Sequence, residues 1–445
     1  MQAANLKFRQ ITTVLFLFIY MVINFADKAV LGIVAVPMMK ELNLTPAQFG
    51  MVASSFFILY SVSGIAFGFL ADRFKAKILL LVLALIWAVA QFPIAWWASL
   101  PVLIVCRMIL GVGEGPAYPV AVHAAYKWFP DTQRNVVTGI LGQGGPTGLV
   151  VATPILTLLM VEFGWRSVFL VLGVAGILWS IAWLIFGGEG PLDSHSKKNH
   201  GETATTAEPK IPYRILLLDR TILGATIGGF AAYWILVMGF TWLQPYLNSG
   251  LGYSAVNAGW LVSVIMGCSI PLQLGTAWGS QCLLKKGVSS RVARGGILGG
   301  YIAASGLFVA GAMLLDMGPV IKIILLALGC AFPLVAFSIG PTIVGEITPS
   351  SQRGSVLAVS ISVQTSAGLL APAITGWIVE SGSTLAAGYT HGYLFAAGIL
   401  IVGGLLAVVL VHPEKSRERL SSKFVVDNTP DGPLPMMAAV GQSKG

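Results

Sequence analysis

Four charged side chains lie inside runs that are otherwise apolar, and their types suit the joint handling of a proton and an anion. Asp27 and Lys28 occur in NFADKAVLGIVAVP, and Arg107 and Glu114 occur in RMILGVGEGPAYP. Charges within apolar spans are costly and persist chiefly along ion pathways, in proton relays and at substrate sites. The two acids and two bases cancel in charge, so mutual pairing lowers the cost of burying each one. Pairing also offers coupling. Burial favours a neutral acid, a nearby cation favours the carboxylate, and an anion that occupies the cation changes the acid's affinity for its proton. Asp27 and Glu114 are therefore the expected proton carriers, and Lys28 and Arg107 the expected substrate or coupling cations. The competing use of the same groups is an ion-pair network that only holds helices together.

Spacing supports a shared site. Arg107 and Glu114 are two helical turns apart, which puts them on nearly one face, about 10 Å apart along the axis. Gly111 and Gly113 lie between them and permit close approach of a neighbouring helix or a substrate. Asp27 is too short to reach an interface from so deep in its span, whereas a lysine has a stem long enough to snorkel.

The elements that position these groups follow from composition. A chain of 445 residues with 56% hydrophobic and 10% charged residues cannot hide its apolar surface as a soluble globule. About twelve windows of roughly 20 residues are apolar and long enough to cross a bilayer as helices. The four charges fall in the first window (11–35) and the fourth (102–125). The runs are continuous and about twice the length of the alternating segments that a β-barrel requires. The first window is too long for a cleavable leader, and it carries Asp27 and Lys28 where a small-residue cleavage site would stand. The expected fold class is all-α integral membrane with twelve transmembrane helices.

The formal charge of +9 reports topology. With a cytoplasmic amino terminus, every Lys and Arg is cytoplasmic except Lys40, Arg166 and Lys322 outside and Lys28 and Arg107 within spans. That asymmetry places both termini in the cytoplasm. The partners implied are a lipid bilayer and a small solute, with no nucleic acid. Cys106, Cys268, Cys282 and Cys330 are widely separated, lack metal-ligand spacing and read as packing residues. His123, His391 and His412 lie near span ends and read as interfacial. No phosphate-binding loop, metal cluster or nucleophile-base motif is present, so neither an enzyme nor a cofactor other than the coupling proton is expected.

The windows divide six and six. Residues 1–187 form one expected bundle and 221–412 the other. Between them, 188–220 is a polar linker (GEGPLDSHSKKNHGETATTAEPK), and 413–445 is a short polar tail expected to be disordered. Local sequence repeats across the halves: Pro130, Gln133 and Arg134 match Pro349, Gln352 and Arg353 at one offset, each set preceding a Gly/Ser-rich span with a proline, Pro154 or Pro372. A duplication with the substrate path between the halves explains the repeat.

The loop GFLADRFKAK, with Gly68, Asp72, Arg73 and Lys77, resembles the loop signature of the major facilitator superfamily, although Lys75 stands where glycine is usual. The resemblance implies the two-bundle fold of that superfamily. It also implies a gating role for Gly68, Asp72 and Arg73 and for the repeated Arg134 and Arg353, whose contacts would form in one transport state and break in another. NFADKAVLGIVAVP, Tyr60 in SSFFILYSVSG, RMILGVGEGPAYP, KWFP and GWRSVF together resemble the anion:cation symporter family within it. That family includes bacterial carriers of sugar acids and other carboxylates. The resemblance assigns proton coupling to Asp27 and Glu114, and support of coupling and of the substrate site to Arg107.

Two departures bear on specificity. The usual Tyr-x-Asp-Arg reads Phe25-Ala26-Asp27-Lys28, which removes a phenol hydroxyl and replaces a bidentate guanidinium by a point charge. A weaker, less geometric grip on a carboxylate, or a less polyhydroxylated substrate, would fit. Gln364 stands where relatives often have asparagine. The second-half windows contain no charge, and Tyr233, Trp242, Gln244, Gln273 and Gln364 are their polar or amphipathic groups. The expectation is a monomeric carrier in a bacterial cytoplasmic membrane that imports a small organic anion with protons by alternating access. Tyr60, Trp242 and Gln364 are expected to contact the substrate beside Lys28 and Arg107. The alternative is proton-driven export of an amphipathic or aromatic compound, suggested by LGQGGPTGLVVATP around Gly145 and Pro146.

Overall fold

The computed structural model describes residues 2–71, 73–192, 211–349 and 351–424. Twelve helices in it are long and apolar enough to cross a membrane. They are α1 (Gln2–Leu42), α2 (Pro46–Ala71), α3 (Ala76–Trp97), α4 (Leu100–Tyr126), α5 (Asp131–Phe163) and α6 (Trp165–Phe186) in the first half. The second half holds α7 (Arg220–Thr241), α8 (Ala255–Lys285), α9 (Arg291–Leu314), α10 (Pro319–Ile347), α11 (Arg353–Ser381) and α12 (Leu385–Leu410). Large apolar side chains on their outer surfaces are exposed, including Phe186, Trp278 and Val320, as a lipid-facing surface requires. The chain is a multi-pass integral membrane protein of all-α class. Several helices overrun the expected windows, because the helical ladder continues into the polar flanks: α1 ends on Leu42, past the window's Ala35.

Two of the prolines that interrupt the backbone ladder inside spans have the break repaired by a serine of a neighbouring helix. Pro154 has no N–H to give to the Val150 carbonyl one turn earlier, and Ser263 Oγ of α8 donates to that carbonyl at 2.8 Å. Pro333 likewise frees the Gly329 carbonyl, which accepts from Ser305 Oγ of α9 at 2.5 Å. In a membrane, such repairs decide where an irregular helix is tolerated.

The Ser263–Val150 bond also joins the two halves. Others that do so are Gln244 Nε2 to Thr157 Oγ1 (3.1 Å), Ala373 N to Ser54 Oγ (3.1 Å), Ala47 N to Glu380 Oε2 (2.9 Å) and Ser61 Oγ with Thr365 Oγ1 (3.1 Å). Phe49 and Trp242 meet edge to face across the same junction. These contacts come from the middle of the helices and from the ends remote from the termini, so the halves are drawn together on that side.

On the terminus side, polar contacts anchor the connecting segments. Glu189 pairs with Lys127 Nζ (3.1 Å) and accepts from Lys77 N (2.8 Å), holding the start of the linker against α4 and α3. Gln352 brackets Ile211 with both amide atoms, at 2.9 and 2.7 Å, and fixes its far end. Residues 193–210 lie outside the described ones. Residues 413–424 of the tail depart from the disorder expected of it. Pro413–Phe424 forms α13, because the buried Asp219 carboxylate accepts from Thr221 N, Ser416 Oγ and Arg419 and so draws the helix onto the bundle. Residues 425–445 lie outside the described ones.

Candidate functional site

The four charges are carried by α1 and α4 and are all buried. Lys28 Nζ lies 2.7 Å from Glu114 Oε2, with side-chain exposures of 5% and 0%, so this ion pair is shielded from solvent on both sides. Asn24, one turn before Lys28, accepts from the same ammonium at 2.5 Å. Aromatic rings surround its other faces: Nζ is 4.7 Å from the centroid of Phe25, 5.7 Å from Tyr60 and 5.9 Å from Phe56. Ring faces attract a cation and exclude water from it.

Asp27 points elsewhere, since adjacent residues on a helix diverge by about 100°. Its Oδ1 accepts from Gln91 Nε2 of α3 at 3.0 Å. Arg107 lies beneath this pair of residues. Its Nη1 approaches the Asp27 backbone carbonyl at 3.4 Å, and its guanidinium sits 5.5 Å from the Phe56 centroid. Mutual pairing therefore holds for Lys28 with Glu114 only. Among the described residues no ion pair joins Arg107 to either acid, and the Asp27 carboxylate has an amide as its partner. Asp27 Oδ2, Glu114 Oε1 and Arg107 Nε have no protein hydrogen-bond partner despite full burial. Each acid thus keeps one oxygen able to hold a proton without breaking an existing bond.

Helix packing explains why Glu114 sits where it does. The first segment of α4 ends on Glu114, followed by Gly115 and by Pro116, which has no N–H for the ladder. Gly111 and Gly115 face the α2 backbone so closely that a Cβ on either would fall 2.1 Å from the Phe56 or Tyr60 carbonyl oxygen. The glycines beside the charges serve the approach of a helix, which brings Phe56 and Tyr60 over the ammonium.

The other expected positions are distributed. Tyr60 is half-buried at the edge of the ring cluster, where it meets Tyr233 of α7. Trp242 is fully buried away from the charges. Its indole N–H donates to the Pro372 carbonyl (3.2 Å) and its ring packs on Phe49 and Tyr389, within the junction remote from the termini. Gln364 is half-buried in α11 and donates to Ser360 Oγ at 3.1 Å. Arg134 donates to the Tyr126 and Phe129 carbonyls at the end of α4 and stacks on the Tyr126 ring. Arg73 and Arg353 are exposed on the terminus side. Gly68 belongs to α2. Asp72 lies outside the described residues.

Sequence reading passed over Gln91, Asn24 and Phe56. Gln91 carried a signal, being the one amide in the apolar window 78–95. Asn24 stands beside the charged pair in NFADK. Phe56 carried none, because a phenylalanine in a membrane span is ordinary until a cation is found beneath it.

Similar proteins agree with the architecture. The chain is 27% identical to the hexuronate transporter of Bacillus subtilis, across 91% of this chain and 95% of that one. It is 29% identical to a probable sulfoacetate transporter of Cupriavidus necator, across 88% and 91%. Among solved structures, a bacterial homolog of the human lysosomal transporter Spinster, in an inward-facing and occupied conformation, superposes with a TM-score of 0.74 at 16% identity, covering 94% and 98%. The Major Facilitator Superfamily model matches residues 16–337. With twelve spanning helices in two sixes and this match over most of its length, the chain belongs to the major facilitator superfamily of transporters.

Proposed function

We propose that this transporter couples the downhill entry of protons to the import of a small organic anion. The buried Lys28–Glu114 pair carries the reading. A cation that must be offered to an anionic substrate is held by an acid, and that acid can release it only by taking up a proton. Protonation of Glu114 removes the negative partner, the ammonium is left inside a ring of aromatic faces, and an incoming carboxylate restores its charge balance. Asp27, held by Gln91 and lying against Arg107 through its backbone, is the second proton site. Arg107 keeps both acids in a positive field. The hexuronate and sulfoacetate carriers among its relatives both move organic anions, which favours this substrate class.

Alternating access rocks the halves about this midplane site. With termini in the cytoplasm, the junction of α1, α2 and α5 with α7, α8 and α11 closes the outer side, and the release path faces inward. Gly68, Arg73, Arg134 and Arg353, together with Asp72, are proposed as gating positions on the opposite side. The glycines of LGQGGPTGLVVATP lie against α1, with Gly144 and Gly148 packing on its backbone, so this stretch is accounted for by helix packing and adds no support to an export reading.

The test is uptake by purified protein in liposomes under an imposed proton gradient. Glu114→Gln is expected to abolish gradient-driven accumulation of the transported anion while leaving counterflow exchange measurable. Undiminished accumulation in that variant removes Glu114 from coupling. Accumulation driven by the opposite gradient would assign export.

A further inference from the structure

The seam between α1 and α3 carries an incomplete polar pairing. Tyr20 and Trp87 meet across it at a centroid distance of 4.5 Å. Asp27 lies two turns beyond Tyr20 and Gln91 one turn beyond Trp87, so helical periodicity keeps both on the seam. Gln91 Nε2 donates to Asp27 Oδ1 at 3.0 Å, and both residues are fully buried. The second oxygen of each group, Asp27 Oδ2 and Gln91 Oε1, has no protein partner. Buried polar atoms ordinarily have one, so two in a single contact call for an explanation.

The charge on Asp27 supplies it. An ionised carboxylate only accepts, so it takes a bond from the amide nitrogen and has nothing to give the amide oxygen. A protonated carboxyl gains an O–H donor. With the proton on Oδ2, that O–H can be given to Gln91 Oε1 while Nε2 still gives to Oδ1, and acid and amide close a ring of two hydrogen bonds. The adjustment needed lies in the terminal torsions of two side chains, which are soft. One proton thus satisfies both lone oxygens. The neighbouring groups do not bond to them: Lys28 is held by Glu114 and Asn24, and Arg107 Nη1 goes to the Asp27 backbone carbonyl. Arg107 Nε, Asn24 Nδ2 and the Tyr20 hydroxyl have no protein partner, and Trp87 Nε1 faces α6, where a Cβ on Gly176 would fall 3.0 Å from it.

We infer that Gln91 is a positioning residue for the coupling proton, seating it between Asp27 Oδ2 and its own Oε1. The inference rests on the reading of Asp27 as a proton site and adds the partner that responds to its state. The amide suits both forms: its N–H serves the carboxylate, and its N–H and carbonyl together serve the acid. An apolar residue at this position strands either form, leaving the carboxylate without a donor or the acid O–H without an acceptor, inside a span. Ionised Asp27 is tied to α3 by one bond and neutral Asp27 by two, so loading the proton tightens the seam between α1 and α3.

The experiment records infrared difference spectra between alkaline and acidic buffer on the full-length protein in liposomes, for the wild type, Asp27→Asn and Gln91→Met. Methionine keeps the length of the side chain and removes the amide, and thermal melting in detergent shows whether each variant is folded. A protonated-carboxyl C=O band that is lost in Asp27→Asn belongs to Asp27. The wild type is expected to show this band at the low wavenumber of a doubly hydrogen-bonded acid, together with a downward shift of one side-chain amide C=O band as Oε1 gains its bond. In Gln91→Met the carboxyl band is expected to move to higher wavenumber and the amide shift to vanish. The amide shift is expected to vanish in Asp27→Asn as well, so that comparison tests the pairing even if Gln91→Met does not fold. A carboxyl band unmoved in folded Gln91→Met, or an amide C=O that does not respond when Asp27 takes its proton, overturns the inference and leaves Asp27 as a proton site. Absence of an Asp27 carboxyl band at every pH at which the protein stays folded overturns both.

Discussion

Replacing Lys28 by methionine removes the ammonium, keeps a chain of similar girth, and leaves the Glu114 carboxyl buried without the cation that stood 2.7 Å away. Breaking a buried pair by deleting one member costs about 3–5 kcal/mol. Glu114→Gln is milder, about 1–3 kcal/mol, because the amide oxygen still accepts from the ammonium and Asn24 still holds it. The double variant sets a thioether against an amide with no charge left stranded. Its loss is expected to fall short of the sum of the single losses by about 0.5–3 kcal/mol. The assay is denaturant unfolding of the four proteins in one detergent at neutral pH, with proton-driven uptake measured on the same preparations. Additive losses would refute the direct buried pair, and with it the idea that Glu114 occupies the cation until protonated. If the double variant recovers stability and remains inactive, the pair serves coupling. If it recovers stability and uptake together, the pair is a scaffold only.

Two further outcomes are expected. Gly111→Ala places a Cβ 2.1 Å from the Phe56 carbonyl oxygen and is expected to cost about 1–3 kcal/mol or more and to lower folded yield. Gly139→Ala in α5, where the added Cβ has no heavy atom within 4 Å, is expected to be neutral, and equal losses in the two would contradict the α2–α4 packing. Glu380→Ala removes the acceptor for the first amide of α2 and weakens the junction remote from the termini by about 0.5–1.5 kcal/mol. Maleimide labelling of a Ser54→Cys reporter in that junction is then expected to quicken by about 2- to 10-fold, and an unchanged rate would show that Glu380 does not hold it.

The amino-acid sequence by itself determined the solvent of this protein, its twelve spans, their division into two repeated sixes and the concentration of charge in the first half. Those properties follow from composition and period, which are local: a 20-residue apolar run has one way to satisfy its backbone in a bilayer. The four charges were legible for the same reason, since each contradicts its surroundings. Their partners were not. Asp27 and Lys28 are adjacent in the chain, yet one faces Gln91 of α3 and the other Glu114 of α4. Only the rotation of α1 against both helices decides which goes where. The glycines between Arg107 and Glu114 were equally open to a helix or a substrate, and the fold fills both spaces with helices, α2 at Gly111 and α3 at Gly113. Phe25, Phe56 and Tyr60 are unremarkable as letters and surround the Lys28 ammonium only when α1 and α2 pack together. The tail helix took its order from Asp219, about 200 residues earlier in the chain. What tertiary structure decided is pairing, because the partner of a buried group is chosen by geometry between helices that no local pattern encodes.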